Sequence, residues 1–313
     1  MENFIVSVRC ITPVLLVMSL GIFIRSRKLV PEETYDRIST MCFHYLLPFL
    51  LFHNIYDARV EGAFSPRLLI FLEAGVLIWF GVNYALFAVM EPDRRARGAY
   101  IQNAFRSNIA IVGVSLAQSL MGDGPGVASM ALATAVLIPT FNTLAVVTLE
   151  SCRGGHADIG SIVRQILKNP LIRASVLGVI FLLLDIRLPQ PVEQAVKNIG
   201  NTGSTMTLVA LGASLRLEGI QKNFRRAILC SAHRLLITPL VMVTAACLLG
   251  FRGDDLGVIL ICAGAPTAAS AYPMALACDS DHELTAQVVV STSMFFCLTM
   301  LLWIFGLKQL GLM

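Results

Sequence analysis

Stretches of about twenty consecutive apolar residues recur along this chain almost from end to end, each long enough to cross a hydrocarbon core roughly 30 Å thick. In lipid every backbone N–H and C=O must be paired within the chain, so only helices and closed barrels can span it. Here the stretches are continuously apolar rather than alternating over ten residues, which selects helices. Composition agrees: 56% of the 313 residues are hydrophobic and 14% charged, with a mean hydropathy of +0.73. The expected class is an all-α integral membrane protein whose main partner is the lipid bilayer, with no room for a soluble domain.

Segmentation by apolar runs and turn residues predicts ten spans, near residues 4–24, 35–57, 67–90, 98–121, 127–149, 170–186, 192–215, 225–250, 254–278 and 284–307. The first lacks a basic leader and a small-residue cleavage pattern, so it reads as a span and not a signal peptide. The longest polar stretch, SCRGGHADIGSIVRQILKNP, divides the chain into a first five-helix half (1–150), a connecting loop (151–169) and a second half (170–313). Basic residues concentrate after spans one, three, five and seven, roughly thirteen against about six in the opposite loops, which predicts those connections to be cytoplasmic and both termini extracytoplasmic. A bacterial-type inner membrane is the expected location. The net charge of +4 resides in loops and anchors them; it does not suggest nucleic acid as a partner.

Five spans per half is odd, so repeated halves must sit upside down relative to each other, an arrangement of many secondary transporters. The fourth span of each half is the most interrupted. Span nine, DDLGVILICAGAPTAASAYPMALACDS, carries Pro266 and Pro273 around small and hydroxyl residues, and each proline inside a helix removes one hydrogen bond at about 3 kcal/mol. Span four, RSNIAIVGVSLAQSLM, has Asn108, then Gly113 at mid-span and Ser115, and is expected to break there more softly. Paired interruptions in two halves point to a binding site. The half-helix N-termini carry partial positive charge and free N–H groups, and Arg106 adds a full charge, so a small organic anion such as a carboxylate is the expected substrate.

The motifs YLLPFLLFHNI, RSNIAIVGVSL, KNPLIRASVLGVIF, MTLVALGASL and APTAASAYPMALACDSDHELTA, in this order and spacing, resemble the auxin efflux carrier family over nearly the whole chain. The resemblance implies ten helices as two inverted five-helix repeats crossing at broken helices four and nine. It also implies a scaffold of spans one, two, six and seven, a mobile transport domain of spans three to five and eight to ten, an elevator mechanism, and homodimers joined through the scaffold. Asn108 falls on the family's R-x-N pattern, which implies that it contacts substrate. Ser115 stands where the family usually has proline.

The expected substrate site is Arg106, Asn108, Gly113, Ser115, Pro266, Thr267, Tyr272 and Pro273, with Thr267 and Tyr272 as hydroxyl donors, and with Asn54 and Asn201 approaching from the scaffold. Glu73 and His53 are coupling candidates, because intramembrane carboxylates and histidines mark ion pathways. His44 and His53 lie on opposite helix faces and do not form a metal pair. Arg9, Arg173 and Arg234 are expected to reach from span ends to the headgroups. The cysteines show no metal or CxxC spacing and read as small buried hydrophobes. No cofactor, metal or catalytic residue is expected: a rhomboid-type serine setting is missing, and the GDG around Asp123 reads as a turn. A sodium-coupled symporter of the bile-acid type is the main alternative, and a channel or ligand sensor shares the hydropathy.

Overall fold

The computed structural model describes residues 2–57, 65–122, 124–153, 159–215 and 217–313, with side chains from residue 12 onward except 159, 161, 162 and 217–222. Arg59, Asp123, Arg216, loop residues 154–158 and the side chains of Arg9 and Cys10 lie outside the described residues. The described chain is all helical: α1 (Glu2–Ser26), α2 (Glu32–Met41), α3 (Leu47–Tyr56), α4 (Pro66–Met90), α5 (Arg94–Phe105), α6 (Ile109–Met121), α7 (Pro125–Cys152), α8 (Ile159–Lys168), α9 (Pro170–Leu183), α10 (Gln190–Ser214), α11 (Leu217–Ala232), α12 (Thr238–Leu248), α13 (Gly253–Gly264), α14 (Ala271–Ala277) and α15 (His282–Gln309). Every predicted span falls on one helix or on a consecutive pair. Among the described residues, five continuous helical runs are long and apolar enough to cross a membrane, Glu32–Tyr56, Pro66–Met90, Pro125–Cys152, Asn223–Leu248 and His282–Gln309, with shorter apolar helices at Thr12–Ser26 and Pro170–Leu183.

Local chemistry explains the joints. α2 and α3 are joined by a π-turn at Cys42–Leu46, and α11 and α12 by one at His233–Ile237; each lies immediately upstream of a proline in the next helix, Pro48 and Pro239. Proline lacks an N–H and crowds the carbonyl four residues back, so widening that turn keeps both runs continuous. Asp93 and Asp281 cap the N-termini of α5 and α15 through side-chain bonds to Arg95 N (3.0 Å) and Leu284 N (2.9 Å). In KNPL, Asn169 caps Leu171 N at 2.9 Å while Pro170 opens α9, the favoured arrangement for cap and first helical residue.

The connections sort by end. At one end Arg25 donates to Leu215 O (2.8 Å), Arg226 to Glu91 (3.1 Å), and Arg153 to Asp279 (2.6 Å), so the first, third, fifth, seventh and ninth connections share a side. The Arg153 guanidinium is held above its ordinary pKa by the Asp279 bond. At the other end Leu188 N donates to the Tyr56 hydroxyl (3.0 Å), the Arg67 guanidinium meets Leu249 O, and Gly253 N donates to Leu312 O (2.9 Å).

Packing forms two groups. α1, α2, α3, α9 and α10 lie against one another, as do α4 to α7 with α11 to α15; α1 also touches α6 and α15, and α3 and α9 touch α7. These groups follow the division into spans one, two, six and seven against the rest. Cys42, Cys152, Cys230, Cys262, Cys278 and Cys297 are buried in the apolar interior.

Candidate functional site

Both interrupted spans are broken. In span nine, Pro266 forces Ala265 out of the helical region (φ −62°, ψ 153°), as expected for a residue preceding proline, and α13 ends there. The chain resumes as α14 after Ser270. Pro273 does not break anything: it sits in the first turn of α14, where a missing N–H leaves no hydrogen bond unmade. In span four, α5 ends at Phe105, Arg106 is extended (φ −78°, ψ 127°) and α6 starts after Asn108. The break expected at Gly113 and Ser115 therefore lies at 106–108, and α6 runs through both residues without interruption. Gly113 is buried against α7, and Ser115 is exposed on the opposite side of the helix.

A Cβ at Gly113 would come within 2.8 Å of only the Met130 methyl, the mobile end of a flexible side chain. Gly113→Ala is accordingly expected to change stability by less than about 1 kcal/mol, since the helix propensity of alanine offsets a small repacking. Melting temperature and transport should both stay near the parent's; a selective loss of transport would restore Gly113 as a hinge.

The two breaks touch through their backbones. Asn108 N donates to Pro266 O at 2.9 Å, and the Thr267 hydroxyl donates to Asn103 O at 3.1 Å. Thr267 N in turn donates to the Thr292 hydroxyl (3.2 Å), and the Thr238 hydroxyl to Ala104 O (3.3 Å). Polar backbone freed at membrane depth is thus taken up by the opposite break and by hydroxyls, which is the condition for tolerating it there.

Arg106 is 3% exposed and reaches Asn142 Oδ1 (2.6 Å), Ser270 Oγ (2.9 Å) and Met274 Sδ (3.2 Å). No carboxylate lies within ion-pair distance of it among the described residues. Its extended position therefore places one full positive charge at the crossing, held by an amide and a hydroxyl.

Asn108 and Ser270 line a cavity of about 40 Å³ between the two packing groups. Ser204 and Thr207 add two hydroxyls, and the rest of the wall, including Leu47, Leu50, Leu51, Ile111 and Leu171, is apolar. That volume holds about three waters. A cleft of about 490 Å³ between α4 and α12 is larger but almost wholly apolar, and neither Arg106, Asn108 nor Ser270 lines it, so the small cavity lined by Asn108 and Ser270 is the candidate site.

Arg106, Asn108, Pro266 and Thr267 meet at the crossing; the remaining expected residues do not. The Tyr272 hydroxyl points away, to Asp36 at 3.3 Å. Asn201 is exposed on α10, and Asn54 lies half-buried in the last turn of α3, neither lining the cavity. His53 is buried beside Tyr56 in α3. Glu73 accepts from the Thr140 hydroxyl of α7, with its second oxygen buried and without a partner among the described residues. Arg173 is exposed as expected, but Arg234 is 0% exposed and does not reach a headgroup. Asn142 went unremarked in the sequence, although an amide inside the apolar run IPTFNTLAVV is the signal that finds such residues.

A family described as Membrane transport protein matches residues 6–304, nearly the whole chain. The chain belongs to that family. An uncharacterized transporter of Methanothermobacter thermautotrophicus is 24% identical over 96% of this chain and 98% of its own length. The uncharacterized transporter YfdV of Escherichia coli is 22% identical over 94% and 95%. Auxin efflux carrier component 7 of Arabidopsis thaliana is 29% identical over 33% of this chain and 18% of its own length. Among solved structures, the sodium proton antiporter MjNhaP1 of Methanocaldococcus jannaschii aligns with a TM-score of 0.63 at 14% identity, covering 92% of this chain and 91% of that one, a likeness of fold alone. The membrane transport protein family consists of transporters, not enzymes, and the chain is a membrane transporter with several apolar helices. The sodium-coupled alternative of the bile-acid type finds no support among these relatives.

Proposed function

We propose that the chain is an elevator-type secondary carrier of small organic anions. The observation that carries this reading is the Asn108 N to Pro266 O bond, which joins the two breaks beside a small cavity that Asn108 and Ser270 line and an arginine without a carboxylate among the described residues. Anion binding uses Asn108, Ser270 and the amides that open α6, where the helix dipole favours negative charge. Arg106 acts through Ser270. The two packing groups serve as scaffold and moving domain. At about 40 Å³ the cavity is smaller than an organic anion needs, and it widens as the groups slide.

In this reading residues 1–150 and 170–313 are inverted repeats, and the basic connections face the cytoplasm of an inner-membrane protein with both termini outside. Copies pair through the scaffold. The relatives named for auxin efflux add auxins, which are indole acids, to the candidate carboxylates.

Purified protein should be stabilised against heating by the transported anion through mass action, about 2.7 kcal/mol at a hundredfold excess over Kd. A screen of dicarboxylates, monocarboxylates and indole acids identifies it, and saturable, counterflow-stimulated uptake into proteoliposomes separates a carrier from a channel. Asn108→Ala is expected to abolish that stabilisation while the ligand-free protein melts within a few degrees of the parent. Unchanged affinity in the variant removes the crossing as the binding site.

A further inference from the structure

The buried arginine of span eight faces the end of a broken helix. The last four carbonyls of an α-helix lack intrahelical partners and carry about half a negative charge. For α13 this end lies at the crossing itself. Arg234 Nη1 donates to Ala263 O at 2.6 Å and Nη2 approaches Cys262 O at 3.5 Å. The side chain is 0% exposed, and no carboxylate pairs with it among the described residues.

The corresponding end of α5 is treated differently. Its Asn103 and Ala104 carbonyls accept from the neutral hydroxyls of Thr267 and Thr238. Thr238 lies one turn beyond Arg234, so a single stretch of span eight caps both broken helices, one with a hydroxyl and one with a charge. Trp79 fixes that stretch, stacking on His233 with centroids 5.5 Å apart and donating from Nε1 to the Thr238 hydroxyl at 3.0 Å.

In crossed-helix carriers, unwound carbonyls and half-helix C-terminal ends are the groups that coordinate a coupling cation. We propose that Arg234 is a tethered substitute for that ion: its guanidinium occupies the carbonyl end of α13 permanently, so the carrier needs no sodium to hold the crossing together. Arg234 is a positioning residue and does not touch the transported anion. The inference deepens the carrier reading by defining its ion dependence.

The test uses the purified full-length protein, with unfolding temperature measured at constant ionic strength in choline, sodium or millimolar guanidinium chloride. The parent is expected to melt alike in sodium and choline. Arg234→Ala should melt several degrees lower in choline and be restored saturably by guanidinium, and in part by sodium, whereas Arg234→Lys stays close to the parent and indifferent to sodium. A cavity left by a merely structural side chain would not respond to cations. Sodium-specific stabilisation of the parent, or an alanine variant that no cation restores, overturns the proposal. Where the alanine variant yields no folded protein, the parent and Arg234→Lys decide it: indifference of both to sodium upholds the substitution, and a specific response of either refutes it. None of these readings uses an anion, so a failure to find carboxylate transport would fall on the carrier reading alone.

Discussion

Gly212→Leu is expected to leave little correctly folded protein. α1 and α10 cross so closely that a Cβ at Gly212 would overlap the backbone carbonyl of Met18, and one at Gly21 would overlap that of Val209. The obstruction is main chain on both sides, so no rotamer change relieves it and the helices must separate. Small residues permit this kind of backbone approach between membrane helices, where packing replaces the hydrophobic drive. Overfilling a packed site costs about 1–3 kcal/mol when side chains can adjust; with backbone in the way the cost should exceed about 3 kcal/mol, a large share of a total near 5–15 kcal/mol. The yield of monodisperse protein and its melting temperature measure the effect. Gly81→Leu is the control, because nothing lies within 4 Å of a Cβ placed there on α4. Equal behaviour of the two variants would mean that the α1–α10 crossing is wrongly placed.

The second large effect belongs to Arg106→Met, which keeps the length of the side chain and removes its charge. Asn142 Oδ1 and Ser270 Oγ lose their donor in a buried setting, at about 1–3 kcal/mol for each group left unsatisfied. An anion bound beside Ser270 loses a positive charge a few ångströms away, worth about 4 kcal/mol at an effective dielectric constant near 20. Affinity for the transported anion should fall by two orders of magnitude or more, at about 1.4 kcal/mol per factor of ten. Arg106→Lys keeps the charge without the forked geometry that reaches both partners and should fall between the two. Melting temperature and uptake, measured together, separate the contributions. A methionine variant that melts lower but binds the anion as before would make Arg106 purely structural.

Much of the molecule was legible because lipid imposes a simple rule on sequence. Continuous apolar runs placed the helices with little help from long-range contacts; the cap at Asn169 and the wide turns before Pro48 and Pro239 are also local chemistry, but they emerged only in the structure. Pro266 located one break correctly, since a proline constrains its own neighbour whatever surrounds it. Span four contains no such residue. Gly113 and Ser115 looked weak but remain helical, because α7 packs against one and nothing disturbs the other. The helix stops at Arg106 instead, where Asn108 N finds the Pro266 carbonyl and the guanidinium finds Asn142. Local propensity cannot register partners 158 and 36 residues away.

Direction was equally hidden. Tyr272 has the chemistry of a substrate donor but lies on the side of α14 that faces α2, so its hydroxyl meets Asp36. Arg234 is expected from the sequence to reach a headgroup, yet it is buried about as deep in span eight as Arg106 is in span four; only the position of α13 shows why a charge is tolerated there.

By itself the sequence determined that this chain is a helical membrane protein, where its apolar segments begin and end, and that span nine must open at Pro266, because each of these follows from interactions within a few residues or with lipid. Tertiary structure alone decided where span four breaks, which polar side chains converge on the crossing and what caps each broken helix. Those outcomes depend on hydrogen bonds between elements far apart in the chain, and a buried polar group takes the partner that the packing brings within reach.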